Sequence, residues 1–175
     1  MESQTTFDWL NPLLTDLYQI TMAYAEWKGK RANEPSVFEA FFRSSPFKGV
    51  FTVFAGLDEC MRLIAEFKIT DEHVRFLKSR LPHCEPEFFD WLQALDTSSL
   101  SVEGLTDGTL VFPAEPLLRL TGPFALLQLL ETPILNFLNF PSLMATNAAR
   151  MVMVAGDSKC VEFGLRRAQG PSGAL

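Results

Sequence analysis

Val161-Glu162-Phe163-Gly164-Leu165-Arg166-Arg167 is the stretch that decides the fold class predicted for this chain. A short apolar run ends in an aromatic residue and a glycine, and two adjacent arginines follow. The pattern predicts a strand over 159–163 after a helix over 142–154, which favours an α/β fold. Ligands of such folds gather beyond the carboxyl ends of the strands. Arginine forks match phosphate oxygens, so the pair is predicted to bind phosphate, with a solvated charged face as the alternative.

Composition limits the possible functions. The chain has 175 residues, of which 47% are hydrophobic, enough for the core of one domain or slightly more. Its net charge is −6 and its pI is about 4.9. General nucleic-acid binders need a basic face, so that class is disfavoured and the arginine pair is a local exception.

The cysteines and the apolar segments indicate a cytoplasmic protein. Cys60, Cys84 and Cys160 are odd in number and scattered, as is typical of reduced thiols. The first eleven residues include acidic side chains and do not form a secretory signal. The longest uncharged stretch, 132–149, contains several polar groups, which argues against a membrane span.

The hydrophobic pattern predicts a mixture of helices and strands. Helices are expected over 16–28 with Thr15 as the cap, 57–67, 71–81 and 85–95. The helical region that begins at Phe124 is expected to start afresh at Pro133 and to be kinked or split at Pro141, where Ser142 can restart it. Strands are expected over 37–43, 50–54, 100–102, 110–112 and 117–120, the first two joined as a hairpin.

The usual catalytic motifs are absent from the sequence. His73 and His83 do not have metal-ligand spacing, and no phosphate-binding loop, dinucleotide fingerprint or serine elbow occurs. We therefore predict no metal ligands and no catalytic residue within this chain.

Two further positions are candidates for ligand contact. Tyr18 lies on the predicted helix face away from Leu17, Ile20 and Trp27, so its ring is free to stack on a flat ligand. Simple packing at the helix start is the alternative. Arg43 follows a predicted strand and is a second candidate cation for phosphate, or else a solvated charge.

Several phrases of the sequence resemble the nicotinate phosphoribosyltransferase family. They cover nearly the whole chain and keep the order and spacing of the family: Leu-Leu-Thr-Asp-Leu-Tyr-Gln-Ile-Thr-Met-Ala-Tyr (13–24), Phe-Phe-Arg-Ser-Ser-Pro-Phe (41–47), Phe-Thr-Val-Phe-Ala-Gly-Leu (51–57), Leu-Leu-Glu-Thr-Pro-Ile-Leu-Asn (129–136), Ala-Thr-Asn-Ala-Ala-Arg (145–150) and Phe-Gly-Leu-Arg-Arg-Ala-Gln-Gly-Pro (163–171).

The resemblance implies a reaction of NAD salvage. Family members join nicotinate to the ribosyl group of phosphoribosyl pyrophosphate, which gives nicotinate mononucleotide and pyrophosphate. Mg²⁺ accompanies the phosphates, and ATP hydrolysis drives the reaction through a phosphorylated histidine. Arginines and the metal would stabilise charge on the leaving pyrophosphate.

The resemblance also implies roles for individual residues. Tyr18 matches a tyrosine that stacks on the pyridine ring from a neighbouring subunit. Phe163 resembles an aromatic residue that makes the other side of the ring sandwich in the nicotinamide-using relative. Arg166 matches an arginine that contacts the ligand, and Arg167 is its helper. Arg43 resembles an arginine that contributes to phosphate binding across the dimer.

The family resemblance gives an expected architecture. The fold would be α/β, with a sandwich-like N-terminal domain over 1–115 and the truncated start of an irregular β/α barrel over 116–175, as in type II phosphoribosyltransferases. Active sites form between the subunits of a head-to-tail homodimer.

Relatives are several times longer, and their phosphorylatable histidine matches no residue of this sequence. We therefore expect an inert fragment that exposes apolar surface where further strands would pair. A non-catalytic short isoform that binds full-length subunits is the alternative. Nicotinamide in place of nicotinate is a third possibility, and the phrase over 13–24 favours nicotinate.

Overall fold

The computed structural model describes residues 10–168 and 173. The residues before Leu10 and the last three residues of the phrase over 163–171 lie outside the described residues. The described residues form five helices and five strands, with short 3₁₀ turns over Pro46–Lys48 and Leu165–Arg167: α1 Leu17–Lys28, β1 Pro35–Ala40, β2 Thr52–Val53, α2 Leu57–Glu66, α3 Asp71–Arg80, α4 Pro86–Gln93, β3 Ser101–Gly104, β4 Leu110–Val111, β5 Leu118–Pro123 and α5 Phe124–Ala155. The predicted helices before Phe124 are thereby confirmed to within three residues.

An antiparallel sheet in the order β1-β5-β3 forms one layer. Phe38, Leu120 and Val102 align across its core face. On the outer face Arg119 lies between Glu39 and Glu103, with ion pairs of 2.7 and 3.5 Å. Each strand thus alternates between apolar and charged residues, which sets the register.

The predicted hairpin between the first two strands is wrong. β1 pairs with β5, and β2 pairs with β4, both antiparallel. Pairing with β5 places Phe38 in a row with Leu120 and Val102 on the core face, whereas β2 is only two residues long. Burial of side chains outweighs the short sequence separation that favoured a hairpin.

Helix α5 runs unbroken for 32 residues through Pro133 and Pro141, so the predicted fresh start at Pro133 and a split at Pro141 are wrong. A kink at Pro141 stays a prediction. Each internal proline costs about 3 kcal/mol. Burial of the apolar face of α5 offsets that cost, because the helix packs on α1, α2 and the sheet.

Ser142 does not restart a helix but fastens α5 to the segment just after the strand β2. Its hydroxyl accepts a hydrogen bond from the Ala55 amide and donates one to the Ala55 carbonyl, both at 3.0 Å. The Thr146 hydroxyl accepts from the Val53 amide at 2.8 Å. These two buried side chains therefore satisfy backbone groups that would otherwise need a neighbouring strand.

The start of α1 differs from the prediction. Asp16, not Thr15, occupies the N-cap position, and the Thr15 hydroxyl is buried without a hydrogen-bond partner among the described residues. Leu17 was predicted to face the core but is 62% exposed, and Gln19 is buried instead. Helix α2 buries Cys60, Leu63 and Ile64.

The strand predicted over 159–163 is not formed; those residues are irregular. Among the described residues no strand runs beside them, and an unpaired strand cannot satisfy its backbone groups. The helix before them ends at Gly156.

The domain boundary near 115 stays a prediction, although β5 lies in one sheet with β1 and β3. Among the described helices, none has the length and apolar character needed to span a membrane.

The contact between Gly56 and α5 predicts a sharp difference between two glycine substitutions. Gly56 has φ +106°, and a Cβ atom there would lie 2.2 Å from the Phe137 carbonyl oxygen. Gly108 has φ +89° with nothing within 4 Å of its Cβ position. Gly108→Ala should cost about 1–2 kcal/mol from backbone strain alone. Gly56→Ala should cost about 1–3 kcal/mol more because of the clash.

Urea unfolding followed by circular dichroism measures both glycine variants. Equal losses of unfolding free energy would show that the close approach of Gly56 to α5 is absent in solution.

Glu85, just before α4, predicts a pH dependence of stability. Lys28 Nζ lies 2.6 Å from its carboxylate, and the Tyr24 hydroxyl also donates to it. These two hydrogen bonds, of which that from Lys28 has the larger effect, lower the pKa of Glu85 to about 2 from its ordinary value of 4.5. The stabilisation is therefore present above about pH 4.5 and is lost as the pH falls toward 2.

Glu85→Gln should lower the thermal midpoint at pH 7, and the gap to the parent chain should close between pH 4.5 and 2. Glu87→Gln, in the same helical turn, is the control, since Glu87 has no ion pair among the described residues. A gap that stayed constant across this range would contradict the assignment.

Candidate functional site

An open cleft of about 600 Å³ lies between the start of α1, the end of β1 and the middle of α5. A second hollow of about 370 Å³ continues it along β1 and shares five lining residues with it: Ala40, Phe41, Arg43, Glu131 and Leu135. The two form one groove, and its larger part is within the size range of small-molecule sites.

Tyr18 forms one wall of this cleft. It lies in the first turn of α1 and is 50% exposed, whereas Ile20 and Ala23 on the other side of the helix are buried. The expected exposure of the ring is therefore confirmed. The role of Tyr18 in stacking stays a prediction.

Arg43 lines the same cleft from the segment after β1. Its side chain is exposed, and within the described part of the chain it makes no ion pair or hydrogen bond. The structure thus brings together two residues that are 25 positions apart in sequence. An unpaired guanidinium beside an exposed aromatic ring suits a ligand with a flat part and an anionic part.

Phe163, Arg166 and Arg167 lie apart from the cleft. Phe163 is 76% exposed, and Arg166 Nη1 donates only to the nearby Phe163 carbonyl at 3.2 Å. Neither hollow of the groove is lined by any of the three. Within one chain the structure therefore separates them from Tyr18 and Arg43, and their ligand roles stay predictions.

A buried polar network beneath Tyr18 was missed by the sequence analysis. Gln19 is fully buried, and its Nε2 atom donates to the Tyr18 hydroxyl at 3.0 Å and to Glu131 Oε2 at 3.1 Å. Gln128 Nε2 donates to Gln19 Oε1 and, at 3.2 Å, to Glu131 Oε2. The sequence did contain a signal, because Gln128 interrupts an apolar run at a position that faces the core.

Acidic groups also border the cleft. Asp16 lies at the helix start, as expected, and its carboxylate accepts a hydrogen bond from the Thr132 hydroxyl at 3.0 Å. Asp16, Glu131 and Thr132 all line the cleft. Arg43 is thus a cation opposite two carboxylates, so an anionic ligand would be drawn to the Arg43 side.

Metal ligation was tested on the described residues. They contain no group of three or more histidine, cysteine, aspartate or glutamate side chains placed to hold an ion. Mg²⁺ binds through few protein carboxylates and several phosphate oxygens or waters, so the donor set here does not form a dedicated magnesium site.

Two solved structures are similar to this fold. The crystal structure of human nicotinic acid phosphoribosyltransferase has a TM-score of 0.83 and 49% sequence identity, covering 91% of this chain and 32% of that chain. A nicotinate-nucleotide pyrophosphorylase from Pyrococcus furiosus, 19% identical, has a TM-score of 0.70 over 98% of this chain and 36% of its own. The fold is therefore that of the type II phosphoribosyltransferases, as predicted.

Sequence comparison narrows this class. The model of the nicotinate phosphoribosyltransferase N-terminal domain matches residues 13–139. Nicotinate phosphoribosyltransferase 1 of Arabidopsis thaliana is 54% identical over 95% of this chain and 30% of its own length. The human nicotinate phosphoribosyltransferase is 51% identical over 94% and 31%. The chain belongs to the nicotinate phosphoribosyltransferase family, of whose curated members it spans about 30%.

Proposed function

We propose that this chain supplies the N-terminal part of a nicotinate phosphoribosyltransferase of NAD salvage. The observation that supports this most directly is the placement of Tyr18 and Arg43 on one cleft. One offers an exposed ring face and the other an unpaired cation. The proposed substrates, nicotinate and phosphoribosyl pyrophosphate, present a flat ring and a polyphosphate to those two groups.

The proposed chemistry is a displacement at the anomeric carbon of the ribose. The ring nitrogen of nicotinate forms a bond to that carbon while the bond to pyrophosphate breaks, so positive charge develops on the sugar and negative charge on the leaving group. Arg43 would stabilise the leaving group, because its guanidinium can donate charge-assisted hydrogen bonds to the phosphate oxygens. Tyr18 would hold the ring by stacking.

The proposed Mg²⁺ and ATP are assigned to the reaction and not to ligands in this chain. Mg²⁺, when bound, would neutralise phosphate charge, but the described residues hold no group that fits it and no step is derived through it. Neither histidine lies at the cleft, since His73 takes part in the capping box of α3 and His83 packs on Tyr24. A phosphorylated histidine would belong to another part of the enzyme.

We further propose that a neighbouring subunit of a homodimer completes the cleft with Phe163, Arg166 and Arg167. Their exposure supports this, because residues that serve another subunit need not fold onto their own. The end of α5 supports it too, since Met153 is 72% and Val154 is 90% exposed. Exposed apolar surface of this kind marks an interface. We place the protein in the cytoplasm, in keeping with its three free thiols.

Nicotinate titration tests the stacking role of Tyr18. Tyr18→Ala should weaken nicotinate binding about tenfold, the usual cost of removing an aromatic platform. Saturation-transfer NMR on this chain measures the affinity.

Phe76→Ala is the matched control, because Phe76 is 49% exposed on α3, away from the cleft. If both variants bind nicotinate as the parent chain does, Tyr18 is not the platform and the proposed function loses its main support. Competition with nicotinamide in the same titration decides between the two bases.

Arg43 predicts a separate effect on phosphate binding. Arg43→Ala should weaken the binding of phosphoribosyl pyrophosphate about tenfold and leave that of nicotinate within twofold, because a charge-assisted bond is lost. Isothermal titration calorimetry at two salt concentrations measures it, with Arg75→Ala, an exposed arginine on α3, as control. An equal loss in both variants would indicate a general charge effect.

A further inference from the structure

The buried amide of Gln19 lies directly behind the exposed ring of Tyr18. Gln19 is 0% exposed although its neighbour Tyr18 is 50% exposed. Its Nε2 atom reaches three acceptors: the Tyr18 hydroxyl at 3.0 Å, Glu131 Oε2 at 3.1 Å and Thr132 Oγ1 at 3.3 Å. A polar side chain buried this completely is held by several partners at once, and one partner is the proposed platform.

The network leaves the amide of Gln19 only one orientation. The Glu131 carboxylate has no hydrogen to give when ionised, so the atom that faces it must be the nitrogen of Gln19. The oxygen of Gln19 then accepts from Gln128 Nε2, which also donates to Glu131. The two hydrogens of Gln19 Nε2 are therefore shared among the Tyr18 hydroxyl, Glu131 and Thr132, and the nitrogen stays on the side of these acceptors.

The hydroxyl of Tyr18 is held by this bond alone. Among the described residues no other group bonds to it, and the ring lies in the first helical turn with half its surface in solvent. A ring with this freedom loses side-chain entropy when it stacks on a ligand, and prior fixing removes that loss.

We infer that Gln19 is a positioning residue, which transfers the rigidity of α5 to the Tyr18 ring and presents that ring to the ligand. As far as the ligand is nicotinate, the inference rests on the proposed function. Gln19 does not line the cleft, but it bonds three residues that do: Tyr18, Glu131 and Thr132. Its effect on binding therefore passes through these neighbours, and the inference assigns it to Tyr18, which carries the proposed platform.

A double-mutant cycle on this chain tests the inference. The chain has only two tyrosines, so 3-fluorotyrosine labelling gives two ¹⁹F signals, which Tyr24→Phe assigns. Gln19→Met keeps the shape but removes the N–H groups. It should shift the Tyr18 signal, leave the Tyr24 signal in place and weaken nicotinate binding about fivefold.

Combining the two changes shows whether Gln19 acts through Tyr18. In the Tyr18→Phe background, Gln19→Met should have no further effect on nicotinate affinity, because the hydroxyl that it served is gone. An equal loss in both backgrounds would show a general structural role and overturn the inference. Tyr18→Phe alone, at a half-exposed site that tolerates it, should reproduce the fivefold loss, and unchanged binding would also overturn the inference.

Gln128→Met is the matched control for Gln19→Met. It cuts the same network on the far side from Tyr18 and leaves all three contacts of Gln19 Nε2 in place. Its nicotinate affinity should stay within twofold of that of the parent chain, and its Tyr18 signal should not shift. Its loss of stability should be similar to that of Gln19→Met. A response equal to that of Gln19→Met would assign the effect to loosened packing of α1 on α5.

Failure of the proposed function gives a different result. If nicotinate does not move the Tyr18 signal of the parent chain, the proposed ligand is wrong. The inference about Gln19 is then decided by the free chain, in which Gln19→Met must still shift the Tyr18 signal and Gln128→Met must not.

Discussion

The packing of α5 between α1 and the sheet is the constraint on which the rest of the structure depends. Helix α5 contacts α1, α2, β1, β2 and β5, so both layers are joined through it. Its burial outweighs the cost of two internal prolines. The same packing sets the cleft, because β1 and the start of α1 are held on either side of Glu131 and Thr132.

The sequence predicts local structure well and pairing poorly. The caps and periodicities of the first four helices are local features, and those helices were found within a few residues. The partner of β1 is 80 residues away and depends on a row of side chains that joins Phe38 to Leu120. The strand predicted over 159–163 failed for the same reason, since a strand is completed by a neighbour that its own residues do not specify.

Half of the candidate site was visible in the sequence. Tyr18 and Arg43 were identified from exposure patterns and from the family resemblance, and the cleft that joins them came from the fold. Gln19 was not found, because its neighbours on α1 are apolar and nothing local shows that its face meets polar groups of α5. Buried polar networks arise from two elements together, so neither element predicts them alone.

The length of α5 has a mechanical consequence. At about 1.5 Å per residue the helix is about 48 Å long, and its buried residues end at Thr146. Arg150, one turn further on, still donates to the Pro46 and Phe51 carbonyls, so the packed part reaches that residue. The five residues from Met151 to Ala155 therefore project about 8 Å beyond it. Helix α5 is thus packed against the fold over most of its length and projects at its C-terminal end. A force on the projecting end would be transmitted along the helix to its packed part, where Glu131 and Thr132 form a wall of the cleft.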